Sequence, residues 1–150
     1  MTSLHRRDFL LDSSGVSALA ASRDLLVAYL ELLEQRFDGA LLIPVPVLTE
    51  VRSGHRGPDA LVDRLIKAIG AEDDIYAPLT VEAAMRAGVL RTEALPLARH
   101  DISTTDAQIV AMAEERSRRC AVTIITGDPD DINLLVGLTR RTNIAVDVPN

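Results

Sequence analysis

The stretch Ala121-Val122-Thr123-Ile124-Ile125-Thr126 constrains this chain most. Its unbroken apolar and β-branched run has no in/out alternation, which marks a strand buried on both faces. Such a strand belongs in a parallel sheet covered by helices on either side. It runs directly into Gly127-Asp128-Pro129-Asp130-Asp131, three carboxylates in four positions. Before it stands Thr105-Asp106-Ala107-Gln108-Ile109-Val110-Ala111-Met112-Ala113, which reads as a helix running to Arg118. Thr105 and Gln108 have capping-box spacing, and Asp106 lies in the first turn.

The rest of the chain repeats this alternation. Asp8-Phe9-Leu10-Leu11-Asp12 reads as a short apolar strand stopping at a carboxylate, with Ser13, Ser14 and Gly15 supplying a turn and a helix cap. Helical spacing then runs from Val16 to Phe37, with Leu19, Leu26, Leu30 and Leu33 on one side and a break at Ser22-Arg23-Asp24. Ala40 to Ile43 is a second strand, and Val47 to Arg52 a short helix behind Pro46. Pro58 to Ile69 is an amphipathic helix with Leu61, Leu65, Ile66 and Ile69 inward. Ile75-Tyr76-Ala77 is a weak strand, and Thr80 caps a helix to Glu93. Asp130 or Asp131 caps Ile132 to Arg140, and Ile144 to Val148 is the last strand. The expectation is one α/β domain with a central, mostly parallel sheet flanked by helices.

Composition removes several function classes. At 150 residues and 47% hydrophobic, the chain can bury a real core. Aromatics make up only 3%, so stacking platforms for single-stranded nucleic acid are not expected. A net charge of −6 argues against a protein that coats nucleic acid through its own surface, though not against an enzyme reaching phosphate through bound cations. The lone Cys120 forms no internal disulfide and reads as a small buried residue, consistent with a cytoplasmic setting. His5-Arg6-Arg7-Asp8-Phe9-Leu10 resembles a twin-arginine export signal. Asp12 interrupts its apolar stretch, however, and the segment supplies the first strand, so export is not expected.

In open α/β sheets, ligands bind beyond the carboxyl ends of the strands. Asp12 and Asp128 fall at such ends, Asp106 opens a helix, and Glu50 lies one or two turns past the second strand. Singly, each acid has an ordinary explanation in capping or helix-dipole pairing. Glu50 is harder to explain so, because it borders the apolar stripe of its helix. Carboxylates brought together repel unless a cation sits among them.

Asp12 after an apolar strand, Glu50 in Val47-Leu48-Thr49-Glu50-Val51, Asp106 in Asp-Ala-Gln-Ile-Val-Ala and Thr126-Gly127-Asp128-Pro129-Asp130-Asp131 together resemble the PIN-domain pattern. Order, spacing and length are similar to a VapC-type toxin ribonuclease of a bacterial toxin–antitoxin pair. The resemblance implies a PIN-like fold and catalytic acids Asp12, Glu50, Asp106 and Asp128. Asp130 is the implied accessory acid, with Asp131 its rival; Ser13 and Thr126 match hydroxyl positions of the motifs. It further implies an RNA substrate, a small antitoxin partner lying in an apolar groove between residues 16 and 70, and a homodimer. Hard carboxylate oxygens suit Mg²⁺ or Mn²⁺, with Asp12, Asp106, Asp128 and Asp130 as ligands. A pair of such ions can serve phosphodiester cleavage.

Arg52, Arg56, Arg86 and Arg91 are the candidates for phosphate contact. Arg116, Arg118 and Arg119 sit at a helix C-terminus and read as complements to its dipole. His5, His55 and His100 lack zinc-ligand spacing. A phosphoacceptor receiver domain would need an acidic pair after the first strand and a late lysine. Asp12 stands alone and Lys67 is mid-chain. A haloacid-type phosphohydrolase would need an acid at position 14, which is Ser14. A non-catalytic binding module on the same fold has no reason to keep four acids.

Overall fold

The computed structural model describes residues 5–70 and 73–150. Among these, strands and helices alternate as β1 (Arg7–Leu11), α1 (Ser13–Ala21), α2 (Arg23–Arg36), β2 (Leu41–Pro44), α3 (Val45–Val51) and α4 (Arg56–Ile69). A 3-10 turn (Asp73–Ile75) leads to β3 (Tyr76–Ala77), then α5 (Val81–Ala94), α6 (Thr104–Arg116), β4 (Ala121–Ile125), α7 (Pro129–Thr139) and β5 (Ile144–Asp147). The strands lie in the order β3-β2-β1-β4-β5, and every pairing is parallel. The parallel α/β architecture read from the sequence is therefore the one observed. No helix of the described residues is long and apolar enough to cross a membrane.

Burial explains why these runs become strands. Leu10, Leu11, Val122, Ile124 and Ile125 are sealed from solvent, as expected for strands covered on both faces. The chain leaves β1 toward β2 and β3 on one side, then returns to place β4 on the other. The order therefore reverses between β1 and β4, and this is where an open parallel sheet leaves a crevice at its carboxyl edge.

Local chemistry sets the helix boundaries, several of them differing from the sequence reading. Asp12, rather than a serine, caps α1: its carboxylate accepts from the Gly15 amide, so the helix starts at Ser13. Ser22 closes α1 and opens α2, its hydroxyl accepting from Leu25 N. Ser103, not Thr105, caps α6, accepting from the Asp106 amide at 3.0 Å. The serine wins because it places Asp106 in the third helical position, where its amide would otherwise lack a partner. Helix α6 ends at Arg116, with Ser117 as its cap. Asp128 occupies the cap position of α7, so Asp130 and Asp131 lie in the first turn rather than before it. In α4 the inward residues are Val62 and Leu65, with Ile66 and Ile69 partly buried; Leu61 is exposed.

At the amino edge of the sheet, Asp8 is fully buried yet charged. Arg116 Nη1 lies 2.8 Å from its Oδ2 and Arg6 Nη2 3.5 Å, while the Ala40 amide donates to Oδ1. Burial pushes this carboxyl upward. The Arg116 hydrogen bond, the Arg6 charge and the Cys120 and Ala40 contacts outweigh it and hold the group below the ordinary aspartate range. Cys120 is partly buried, donates to Asp8 Oδ2, and has its thiol pushed up by burial and by the Asp8 charge.

A depressed folded-state value means Asp8 adds stability above its unfolded value, near pH 4, and that this stability is lost as pH falls through the folded value. Asp8→Asn should therefore cost about 1.5–3 kcal/mol at pH 6, the range for a hydrogen bond to a charged group. The variant should also show a shallower decline than wild type below about pH 4. Urea midpoints from pH 3 to pH 6 check this; parallel pH profiles for the two proteins would contradict it.

Candidate functional site

Pairing of β1 with β4 aligns Leu11 with Ile125, and the Asp12 amide donates to the Ile125 carbonyl at 3.1 Å. The two strand-end loops, Asp12–Gly15 and Thr126–Asp128, are thus laid side by side. Their contact is tight. A side chain at Gly15 would strike the Ile125 carbonyl, and one at Gly127 would lie 3.3 Å from Ser14.

Each acid is held differently. Asp12 is buried, and its Oδ1 accepts from Gly15 N and from Ser14 Oγ, both at 2.7 Å. Its Oδ2 has no hydrogen-bond partner among the described residues, and it is not sealed from solvent. Glu50 is exposed on α3, and its Oε1 accepts from Ser13 Oγ at 2.8 Å, which ties α3 to the start of α1. Asp106 is half-buried in the first turn of α6. Asp128 is exposed at the cap of α7, with no capping bond from its carboxylate; its amide donates to Thr126 Oγ1 at 3.1 Å. Asp130 is exposed, while Asp131 is partly buried and lies 2.7 Å from His100 Nε2.

Electrostatics identifies which acids are neighbours. The Asp106 carboxyl is pushed up to about 6, first by burial, then by the charges of Asp12, Asp131 and Glu50, against a lowering hydrogen bond from Ser103. Acids drawn from three other segments therefore act on one carboxylate. Neither Asp128 nor Asp130 is among these neighbours. His100 is raised above the usual histidine value by its Asp131 contact and, more weakly, by Asp128 and Asp101. The sequence assigns this histidine no role beyond lacking zinc-ligand spacing. Its position just before α6, whose first turn carries Asp106, was the signal available.

The arginines behave less uniformly than expected. Arg86 is bound to Glu114, Arg52 to Asp63 and Arg118 to Glu82, while Arg91 donates to the Ile102 carbonyl. Arg116 is the partner of Asp8 at the far edge of the sheet. Arg56 is exposed and has no ion pair among the described residues.

A profile of the PIN domain matches residues 9–133. The chain belongs to the PIN-domain family. Solved structures that share this fold include three VapBC proteins. VapBC2 from Rickettsia felis, bound to a DNA fragment from its promoter, has a TM-score of 0.66 at 17% identity, covering 95% of this chain and 99% of that one. DNA-bound VapBC from Salmonella typhimurium has a TM-score of 0.66 at 16% identity, covering 94% and 97%. VapBC-5 from Mycobacterium tuberculosis, a member of the VapBC family of toxin–antitoxin systems, has a TM-score of 0.55 at 19% identity, covering 95% and 98%. No curated protein matches the sequence.

PIN domains imply a divalent metal, and the donor chemistry here fits one. Asp12 Oδ2 and the carboxylates of Asp106, Glu50 and Asp131 form an all-oxygen set suited to a hard cation. Their mutual repulsion at Asp106 is what such a cation relieves. Among the described residues, no three acidic, histidine or cysteine groups lie close enough together to hold an ion by themselves.

Crowding of this kind costs stability in the metal-free protein. Asp106→Asn removes the charge and keeps the shape, so it should raise the melting temperature in EDTA by roughly 2–4 °C. That corresponds to about 1 kcal/mol after discounting for solvent screening at a half-buried position. Differential scanning calorimetry checks it, and a clear fall in melting temperature would contradict the repulsion described here.

Proposed function

We propose that this PIN domain is a metal-dependent endoribonuclease, the toxin half of a VapBC-type toxin–antitoxin pair. The observation that carries the reading is the convergence of Asp12, Glu50 and Asp131 on the half-buried Asp106 at the switch point of the sheet. Asp12, Glu50, Asp106 and Asp128 are the proposed catalytic acids. Asp12 and Asp106 are the proposed ligands of Mg²⁺ or Mn²⁺, joined by Asp128, whose loop is tied to Asp12 through Gly127 and Ser14. As accessory acid we favour Asp131 over Asp130, because Asp131 acts on Asp106 and is held by His100.

The bound ion supplies Lewis acidity toward a phosphoryl oxygen and its leaving group. The residues of this chain supply the rest. Asp12 offers Oδ2 because Oδ1 is already occupied by Ser14 and Gly15. Glu50, with Oε1 held by Ser13, has Oε2 available to take the proton of an attacking water. Arg56, free of ion pairs among the described residues, is the proposed contact for a flanking phosphate.

Two partner surfaces accompany this reading. A cavity of about 500 Å³ between α1, α2 and α4 is walled by Leu19, Leu26, Leu30 and Leu65, with Arg23 and Arg64 at its sides. It suits an apolar segment carrying acidic residues, the chemistry we propose for the antitoxin. Helix α5 is apolar on two faces. Ala83, Ala87, Leu90 and Ala94 are buried, while Val81 and Met85, 78% and 71% exposed, and Val89 form a second stripe outside. A helix apolar on both sides is normally covered on both. Val81 and Val89 are equidistant from Met85 in sequence, so a two-fold axis there would pair each with the other on a second copy. This supports a homodimer.

Purified protein should cleave RNA with Mn²⁺ or Mg²⁺ and not with EDTA. Asp106→Asn should lower the rate by more than about 100-fold, beyond the usual cost of losing an outer-shell partner. Full activity in EDTA, or in Asp106→Asn, would defeat the assignment. For the dimer, light scattering should give twice the 16.3 kDa chain mass for wild type and a monomer for Met85→Glu. An unchanged mass in Met85→Glu would exclude the α5 stripe as the interface.

A further inference from the structure

Ser14 is placed where neither the acids nor the capping of α1 requires it. Gly15 N alone satisfies the cap contact with Asp12, yet Ser14 Oγ donates a second bond to the same Oδ1 at 2.7 Å. The same hydroxyl accepts from the Gly127 amide at 2.7 Å and lies 3.4 Å from Thr126 Oγ1. Thr126 Oγ1 in turn accepts from the Asp128 amide. One hydroxyl therefore links the carboxylate that follows β1 to the loop that carries Asp128 after β4. An amide can only donate and a carboxylate only accept, so the direction of the chain of bonds is set: Gly127 N–H to Ser14, Ser14 O–H to Asp12.

We infer that Ser14 is a positioning residue of the acid cluster, fixing the Asp12 rotamer and locking the Asp12 and Asp128 loops together. The inference rests on the metal-site reading above for its functional consequence, but its geometry stands without a metal. With Oδ1 taking two donors, Asp12 cannot rotate without losing both, so Oδ2 is the oxygen left to face the cluster. Ser13, its neighbour, does a separate task by holding Glu50 Oε1 at 2.8 Å. Two adjacent serines thus orient two different acids. The lack of space around Gly127 explains why the link is so short: any side chain there would push against Ser14.

The test compares Ser14→Ala and Ser14→Thr with wild type by two readouts. In metal-free protein, NMR of the Gly127 amide and the Asp12 carboxyl carbon reports the link directly. Ser14→Ala should speed amide exchange at Gly127 and shift the Asp12 carboxyl signal, while the Gly15 amide stays put. Mn²⁺ affinity by calorimetry should fall about 10–100-fold in Ser14→Ala, the usual cost of losing an outer-shell partner. Ser14→Thr, which keeps the hydroxyl, should recover to within about threefold of wild type, well inside that range. Unchanged Gly127 and Asp12 signals in Ser14→Ala would overturn the positioning role. So would an Mn²⁺ affinity in Ser14→Ala equal to wild type, or a Ser14→Thr protein as impaired as Ser14→Ala. Failure of the wild-type protein to bind Mn²⁺ would instead defeat the metal-site reading, with the positioning role then decided by the metal-free spectra.

Discussion

Parallel pairing of β1 with β4, in register from Arg7 and Ala121 to Leu11 and Ile125, fixes the position of nearly everything else. These two strands are remote in sequence and meet because their buried residues, Phe9 to Leu11 and most of Ala121 to Ile125, need helices on each face. Once they pair, the residues just beyond them become neighbours as well. Asp12 follows β1 directly, and Asp128 follows β4 after Thr126 and Gly127. The strand order reverses here, the place where open parallel sheets bind ligands.

The two edges of the sheet treat charge in opposite ways. At the amino edge, Asp8 is wholly buried and answered by Arg116, Arg6 and the Ala40 amide, so its charge is kept. At the carboxyl edge, Asp106 is half-buried with acids for neighbours and no arginine partner among the described residues, so its charge is resisted. A protein selected only for stability would not gather Asp12, Glu50 and Asp131 around a half-buried carboxylate. Small hydroxyls make the arrangement tolerable. Ser13, Ser14, Ser103 and Thr126 each hold an acid or the backbone beside one.

Much of this was legible from residue order. The double-sided apolar run at Ala121–Ile125 marked the buried strand, and the helix–strand alternation marked the parallel sheet. Asp12 and Asp106 were placed correctly at a strand end and a helix start, because both positions depend on local pattern. Cap identities were less legible. Thr105 and Ser103 are both competent caps, and only the packing of α6 decides which carbonyls and amides remain free. The phase of α4 failed for a related reason: Leu61 and Val62 are equally apolar, and the neighbouring helix selects Val62. Ser14, the contact of Asp131 with His100, and the pairing of Arg86 with Glu114 are tertiary facts with no periodic trace. The rivalry between Asp130 and Asp131 belongs to this class, since the cap of α7 is Asp128, two or three residues earlier than its apolar pattern suggested.

The central proposal is that one divalent ion site joins the acids after β1 and β4 with those on α3 and in the first turn of α6. Paramagnetic broadening by Mn²⁺ in the NMR spectrum of the intact protein addresses it most directly, because it reports distance to the ion residue by residue. Substoichiometric Mn²⁺ should erase the amide signals of Asp12 to Gly15, Glu50, Asp106, Gly127 and Asp128. Those of Arg7, Cys120 and Ala121 at the opposite edge should remain sharp. Broadening that is uniform over the surface, or centred away from Asp12 and Asp106, would contradict the account.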